Sequence, residues 1–384
     1  MNTLFTDTVM VDAVEQSAAC FPARKLQLGF SLIELMISVT IGLLGVLVIF
    51  QVMSVWNERK RTTSSGSDAQ VAGTIGMFSL ERELKVAGYG LGRMQDIEWG
   101  CTVNMRDSTG TNVTFPLLPL LVTQGLSSAP DTITAIAGSS SYFTGREEFT
   151  QSAASSKRTR QRVGLFPGDI LVVTNRPTSA ACEVIEVTAL SAGEARTIEH
   201  QNVSYEKFGA PVGVLTASRF NPPGGADPAF VSGSIYNLGP TPRRTVWQIR
   251  AGGVLTSTET FSGLPAIDVA DGIVDLQAEY GSMDGSTGVG GTITWAEAAP
   301  TPWTNLWAVR VAVLSRSQQF ERLPVTTAAI TYFGGTKTFA MNNVFGAAAS
   351  DAANSPTNWR HYRYRVYEQV VPIRNMMWGR RSRS

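Results

Sequence analysis

The chain has 384 residues, 43% of them hydrophobic and only 16% charged. That is enough apolar material for a sizeable core, and too little charge for a charge-driven disordered chain or a nucleic-acid binder. Basic and acidic residues nearly cancel, 32 against 31, and with only His200 and His361 a mechanism or metal centre built on several histidines is excluded.

The first informative stretch is Phe30 to Trp56, 27 residues with a single charge, Glu34. At about 1.5 Å per residue such a helix spans roughly 40 Å, enough for a tilted bilayer crossing. A buried core helix seldom stays apolar on every face for so long. Arg24 and Lys25 precede the run, and Arg59, Lys60 and Arg61 follow it, so basic flanks alone do not set the topology.

The order of residues at the boundary is more specific. Lys25-Leu-Gln-Leu-Gly29 leads into Phe30-Ser-Leu-Ile-Glu34, with glycine directly before the apolar segment. No small-residue cleavage site of the secretory kind follows Trp56. This arrangement resembles the class III signal of type IV prepilins and pseudopilins: basic leader, Gly, Phe, apolar helix, and Glu five residues into the mature chain. The resemblance implies that prepilin peptidase cuts between Gly29 and Phe30 on the cytoplasmic face. It further implies that Phe30 becomes the N-methylated terminus and that Glu34 pairs with the α-amino group of a neighbouring subunit. The physics agrees, because a carboxylate in hydrocarbon costs several kcal/mol unless paired. The bland alternative is a charge tolerated at headgroup level. The leader, residues 1–29, is long and carries Asp7, Asp12 and Glu15; Met10 is an alternative start.

After Trp56 the chain turns polar yet keeps helical periodicity. Val71, Ile75, Phe78 and Leu84 are expected on one face, with Met77 and Leu80 beside it, packed onto a sheet. Gly88 and Gly90 should end the helix, giving a total length of about 87 Å. Gly42, Gly45, Gly66, Gly73 and Gly76 are expected to bend or loosen it. Strand signals follow at 169–174, 183–190, 245–250, 273–280 and 307–315; in the last, Val309, Val311 and Val313 share one face. Tyr362, Tyr364 and Val366 alternate in the same way against Arg363, Arg365 and Tyr367. The stretches 138–162, 218–242, 281–303 and 334–358 read as long loops rich in small residues.

Several blocks are similar to PilW-type minor pilins, which are themselves similar to J-type minor pseudopilins. They are Leu80–Tyr89, Asp169–Val173 followed by Cys182, Asp271–Tyr280, Trp307–Val311 and Arg363–Asn375. The resemblance implies an α+β, pilin-like fold. A long N-terminal helix, membrane half then amphipathic half, would pack on an antiparallel β-rich globular domain with long loop insertions. The expected divisions are leader 1–29, membrane and assembly helix 30–56, amphipathic half 57–88, globular domain 89–378 and basic tail 379–384. Cys20 leaves with the leader, so Cys101 and Cys182 remain in a domain exported to an oxidising space. One disulfide is expected, against the alternative of two buried thiols.

The resemblance implies a minor subunit of a type IV pilus. It would act by assembly rather than catalysis, without cofactor or metal and without nucleic acid, in initiation and at the tip of the fibre. Its partners would be prepilin peptidase, other minor pilins, the major pilin and the inner-membrane assembly platform. It would wait in the inner membrane with its globular domain in the periplasm, then reach the cell surface. The rivals are a J-type pseudopilin of a type II secretion system and a membrane-anchored enzyme or adhesin. Ser204-Tyr-Glu-Lys207 lacks a companion Lys-Thr-Gly, and Gly88–Gly92 follows a helix rather than a strand, so neither carries catalysis. Asp284-Gly285 reads as an ordinary turn, the alternative being a calcium loop that is not an EF-hand. Residues 360–384 hold seven Arg and one acid, Glu368, for a net +6. They read as a solvated terminus or as a contact for an acidic partner.

Overall fold

The computed structural model describes residues 29–106, 110–141, 145–161, 164–175, 181–191, 196–225, 230, 232–283 and 291–381. Residues 1–28 of the leader and Asp284-Gly285, expected as a turn, lie outside them. Residues 1–59 and 60–384 form two compact units. Helix α1 is assigned over Leu32–Val86. In the first unit its apolar residues are exposed throughout, Phe30 before it by 82%.

In the second unit α1 is followed by β1 (Thr102–Arg106), β2 (Asn112–Pro116), β3 (Leu120–Thr123), β4 (Thr132–Ala137), β5 (Arg146–Ala153) and β6 (Ser156–Thr159). Next come β7 (Ile170–Asn175), β8 (Ala181–Glu186), β9 (Ala189–Leu190), β10 (Thr197–Glu199), β11 (Ser204–Glu206), β12 (Leu215–Ala217) and β13 (Gly233–Gly239). The last group is β14 (Arg243–Arg250), β15 (Val254–Glu259), β16 (Ile267–Asp271), β17 (Ile273–Ser282), β18 (Thr294–Ala296) and β19 (Leu306–Arg316). The chain closes with β20 (Thr331–Tyr332), β21 (Lys337–Thr338), β22 (Tyr364–Pro372) and helix α2 (Arg374–Arg381).

Three large sheets form, in the orders β2-β1-β8-β7-β13-β5-β6-β10-β9, β16-β15-β14-β4-β3 and β18-β17-β19-β22. Pairing is antiparallel except between β1 and β8, which run parallel with Val103 opposite Cys182. The main core lies where α1 meets these sheets. It takes Leu80 and Leu84 from α1, Ile170 and Val172 from β7, and Val309, Val311 and Val313 from β19. Leu171 and Val173 face a second cluster, so β7 is covered on both faces, which is why it reads as a continuous apolar run.

Two expectations change. The stretches 138–162 and 218–242 are not loops throughout: they hold β5, β6 and β13. All of β13 is buried, between β7 and β5. Several of its residues are small or polar because of what they meet. A methyl at Gly233 would lie 1.7 Å from the Thr174 carbonyl oxygen. Asn237 Nδ2 donates to Asp169 Oδ2 at 3.1 Å, and Tyr236 Oη donates to the fully buried Glu98. The second change is at the closing strand, which begins at Tyr364; Tyr362 instead ends the 3-10 turn Trp359–His361.

The buried face of α1 also differs from the periodicity. Val71, Ile75 and Phe78 are 54%, 47% and 63% exposed. The face that packs is Ala69, Gly73, Gly76, Met77, Leu80 and Leu84. Small residues win because they admit the closest approach. Tyr367 lies against Gly73 and donates its hydroxyl to the Gln70 carbonyl at 2.9 Å, and Ser315 Oγ donates to the Ala69 carbonyl at 2.9 Å. A methyl at position 73 would sit 2.0 Å from Tyr367 Cε2, whereas one at position 76 would sit 3.2 Å from the movable Leu255 Cδ2. Gly73→Ala is therefore expected to destabilise the unit by about 1–2 kcal/mol, overpacking outweighing the gain in helix propensity. Gly76→Ala should be near neutral. Denaturant midpoints of the two variants decide this; Gly73→Ala proving the more stable would contradict the packing.

Candidate functional site

Gly29, Phe30 and Ser31 lie outside regular structure, and α1 starts at Leu32. The amides of Glu34 and Leu35 both donate to the Ser31 carbonyl, at 3.0 and 3.1 Å, closing the first turn. Glu34 stands in that turn, where unpaired backbone N–H groups favour a carboxylate. Leu32–Asn57 is long and apolar enough to cross a membrane, with mean hydropathy 2.5 and none of it buried. Its hydroxyls are satisfied inside the helix. Ser38 donates to the carbonyls of Glu34 and Leu35, Thr40 to those of Met36 and Ile37, and Ser54 to that of Gln51. A helix in hydrocarbon needs that. Glu34 is the exception: among the described residues its carboxylate has no partner. The structure thus gathers Gly29, Phe30 and Glu34 at one end of α1.

Cys101 and Cys182 are elsewhere, in the second unit. They are bonded to each other with Cα atoms 5.8 Å apart. The bond spans the parallel β1–β8 pair, and both cysteines are buried in the main core.

The far end of α1 is closed from the C-terminus. Gly88 takes φ +76°, a left-handed conformation glycine adopts without strain. Asn375 Nδ2 donates to the carbonyls of Val86 and Ala87, both at 3.1 Å, supplying partners that a helix end lacks. Gly379, placed in the basic tail by the sequence, is buried in α2, which packs so closely that a methyl there would overlap the Gly92 carbonyl.

Sequence reading misses the buried acids. Asp131 Oδ1 accepts from Gly125 N at 2.9 Å and its Oδ2 from Ala278 N at 2.8 Å. Asp275 Oδ1 accepts from Leu276 N and Gln277 Nε2, both at 2.8 Å. Burial pushes both carboxyls up from 3.8 to about 6, and for Asp275 the charge on Asp131 adds to it. A raised folded-state value favours the protonated form. Stability from this source is full below about pH 4 and is lost as pH rises through 6. Asp275 is 2% exposed, so the loss is on the order of 3 kcal/mol at pH 7. Asparagine can keep both hydrogen bonds on Oδ1. Asp275→Asn should therefore match the native protein near pH 4 and exceed it in stability at pH 7. A stability difference that stays flat between these pH values would sink the assignment. No spacing in the sequence marks these two acids, since the fold alone brings them together.

Comparison with known proteins follows this geometry. Residues 24–50 match the prokaryotic N-terminal methylation motif, which covers Gly29, Phe30 and Glu34. An exposed apolar helix lies behind that motif and a β-rich unit follows it. Residues 252–375 match the family described as type IV pilus-assembly protein W. That match contains the blocks at 271–280, 307–311 and 363–375; the blocks at 80–89 and 169–182 lie outside it. No curated protein matches the chain. Among solved structures, a type IV-like pilin from Thermus thermophilus aligns at 10% identity over 79% of this chain and 94% of that one, with a TM-score of 0.29.

Proposed function

We propose that the chain is a minor subunit of a type IV pilus, made as a prepilin and acting by assembly. Prepilin peptidase cuts between Gly29 and Phe30, and Phe30 becomes the N-methylated terminus. The second unit faces the periplasm until the subunit joins a small complex of minor pilins that starts the fibre and stays at its tip. The observation that carries this reading is Glu34: a lone, unpartnered carboxylate in the first turn of a fully exposed apolar helix. Such a group is retained in hydrocarbon only for a partner, and the α-amino group of a neighbouring subunit is one. The breadth of the second unit supports a place at the tip rather than a repeat along a thin filament.

The test is the mature terminus together with its location. Mass spectrometry of protein from sheared pili should find a chain beginning at methylated Phe30. A chain that keeps its leader, or is cut after Trp56, would overturn the reading.

A further inference from the structure

Two hollows in the surface of the second unit meet at Arg93, in the segment between α1 and β1. The larger, about 630 Å³, is lined by that segment, by the start of β5 and by the residues just after β6. Six of its lining residues are charged, Arg93, Arg146 and Arg160 against Asp96, Glu147 and Glu148, and the other two are glutamines. The smaller, about 250 Å³, is lined by the glycines that follow α1 and, from α2, by Asn375 and Trp378. Trp378 is 64% exposed.

The charged groups of the larger hollow are held in place by the fold. Arg146 Nε donates to the Oγ of the fully buried Ser234 at 2.8 Å, and its Nη2 to Glu148 Oε1 at 2.9 Å. Arg160 Nε lies 3.4 Å from Glu148 Oε2, and Glu147 Oε1 accepts from Gln161 N at 2.9 Å. Gln95 N donates to the fully buried Glu98 at 2.9 Å, which fixes the turn that carries Asp96. A guanidinium has more N–H donors, and a carboxylate more acceptor sites, than these bonds use. Arg93 and Asp96 are exposed, and among the described residues neither side chain has a hydrogen bond or an ion pair.

Charge decides what fits. Three arginines against three acids leave the larger hollow neutral, so it favours neither a polyanion such as nucleic acid, which needs a basic surface, nor a polycation. Among the described residues no apolar side chain lines it, whereas lipophilic ligands take apolar pockets and the centres of protein interfaces are depleted of charge. A neutral ligand dense in hydroxyls matches it. Each hydroxyl both donates and accepts, and a guanidinium beside a carboxylate supplies a partner for each role. The C–H face of a sugar ring is apolar and lies flat on an aromatic ring, the part open to Trp378 in the smaller hollow. We propose that the two hollows together bind a neutral polysaccharide, its hydroxyls between the arginines and the acids and one ring stacked on Trp378. The site does not depend on the minor-pilin reading.

Calorimetric titration tests it. The purified full-length protein, in a polyoxyethylene detergent that carries no sugar, is titrated with maltohexaose, cellohexaose, mannohexaose and chitohexaose. Hexaguluronate and a short single-stranded DNA serve as anionic probes. At least one neutral sugar should bind saturably, and neither anion should. Trp378→Ala should weaken that sugar about ten-fold or more, and Trp378→Phe, which keeps a ring face, should weaken it less. Arg93→Ala and Asp96→Ala should each cost about five-fold, the loss of one hydrogen bond. All four variants should melt at the native midpoint, because these side chains are exposed. Failure of every neutral sugar to bind would overturn the site. Binding of the anions alone would overturn it too, since the surface would then act as a basic patch. Native affinity in both Trp378→Ala and Asp96→Ala would show that the sugar binds elsewhere and would overturn the assignment to these hollows.

Discussion

Glu34→Leu is expected to remove the subunit from pili while leaving its processing and its membrane insertion intact. The apolar run only becomes more hydrophobic, so insertion should not suffer. The proposed cut between Gly29 and Phe30 lies one helical turn away and uses no carboxylate. On the proposed pairing, what disappears is the acceptor for a neighbour's amine. The helix N-terminus alone compensates a carboxylate by only about 0.3–1 kcal/mol, against several kcal/mol for holding it unpaired in hydrocarbon. The balance therefore rests on the amine, and an amine left without a carboxylate carries a similar penalty. That is enough to lower docking by two orders of magnitude or more. Glu34→Asp should be partly defective, because the shorter side chain reaches less far. Immunoblots of sheared pili against whole membranes measure it. Glu34→Leu protein in pili at the native ratio would leave the motif at residues 24–50 without the pairing role argued for its carboxylate.

What the sequence discloses depends on whether a feature is local. The membrane run is local: length, apolarity and the Gly29–Phe30–Glu34 order need no tertiary structure, and α1 begins two residues after Phe30. The valines of β19 are local too, since period two places 309, 311 and 313 on one face of any strand, and all three lie in the main core. Gly73 misleads because its role is decided by a strand almost three hundred residues away. Read locally, glycine weakens a helix; set against Tyr367 it is the residue that fits. β13 is hidden for the same reason. Its polar residues pair with Glu98, Asp169 and Thr174, partners that no window around 233–239 contains. The two buried aspartates belong to this second class, and only their surroundings distinguish them.

Loss of the Cys101–Cys182 bond is expected to be the largest single stability change in the second unit. The cysteines are 81 residues apart, and closing a loop of that size in the unfolded chain corresponds to about 4 kcal/mol in the chain-entropy view. The native side adds to this. β1 joins the large sheet only through β8, over the three register pairs Thr102–Ala181, Val103–Cys182 and Asn104–Glu183, and β2 hangs on β1 alone. The bond thus cross-links the β1–β2 hairpin to the rest of that sheet directly at β8, where the backbone ties them only through long intervening segments. Cys101→Ala should lower stability by about 3–4 kcal/mol, and the double variant with Cys182→Ala should lose about as much, because the shared bond is what both remove. The loss should also be directional: amide exchange at 102–106 and 112–116 should rise before that of β7 and β13, which are flanked by strands on both sides. In the native protein both thiols should resist alkylation until a reductant is added. Should Cys101→Ala cost less than about 1 kcal/mol, or should exchange rise evenly across the sheet, the hairpin would be held by its packing in the main core, with Val103, Met105 and Phe115 sufficient without the bond.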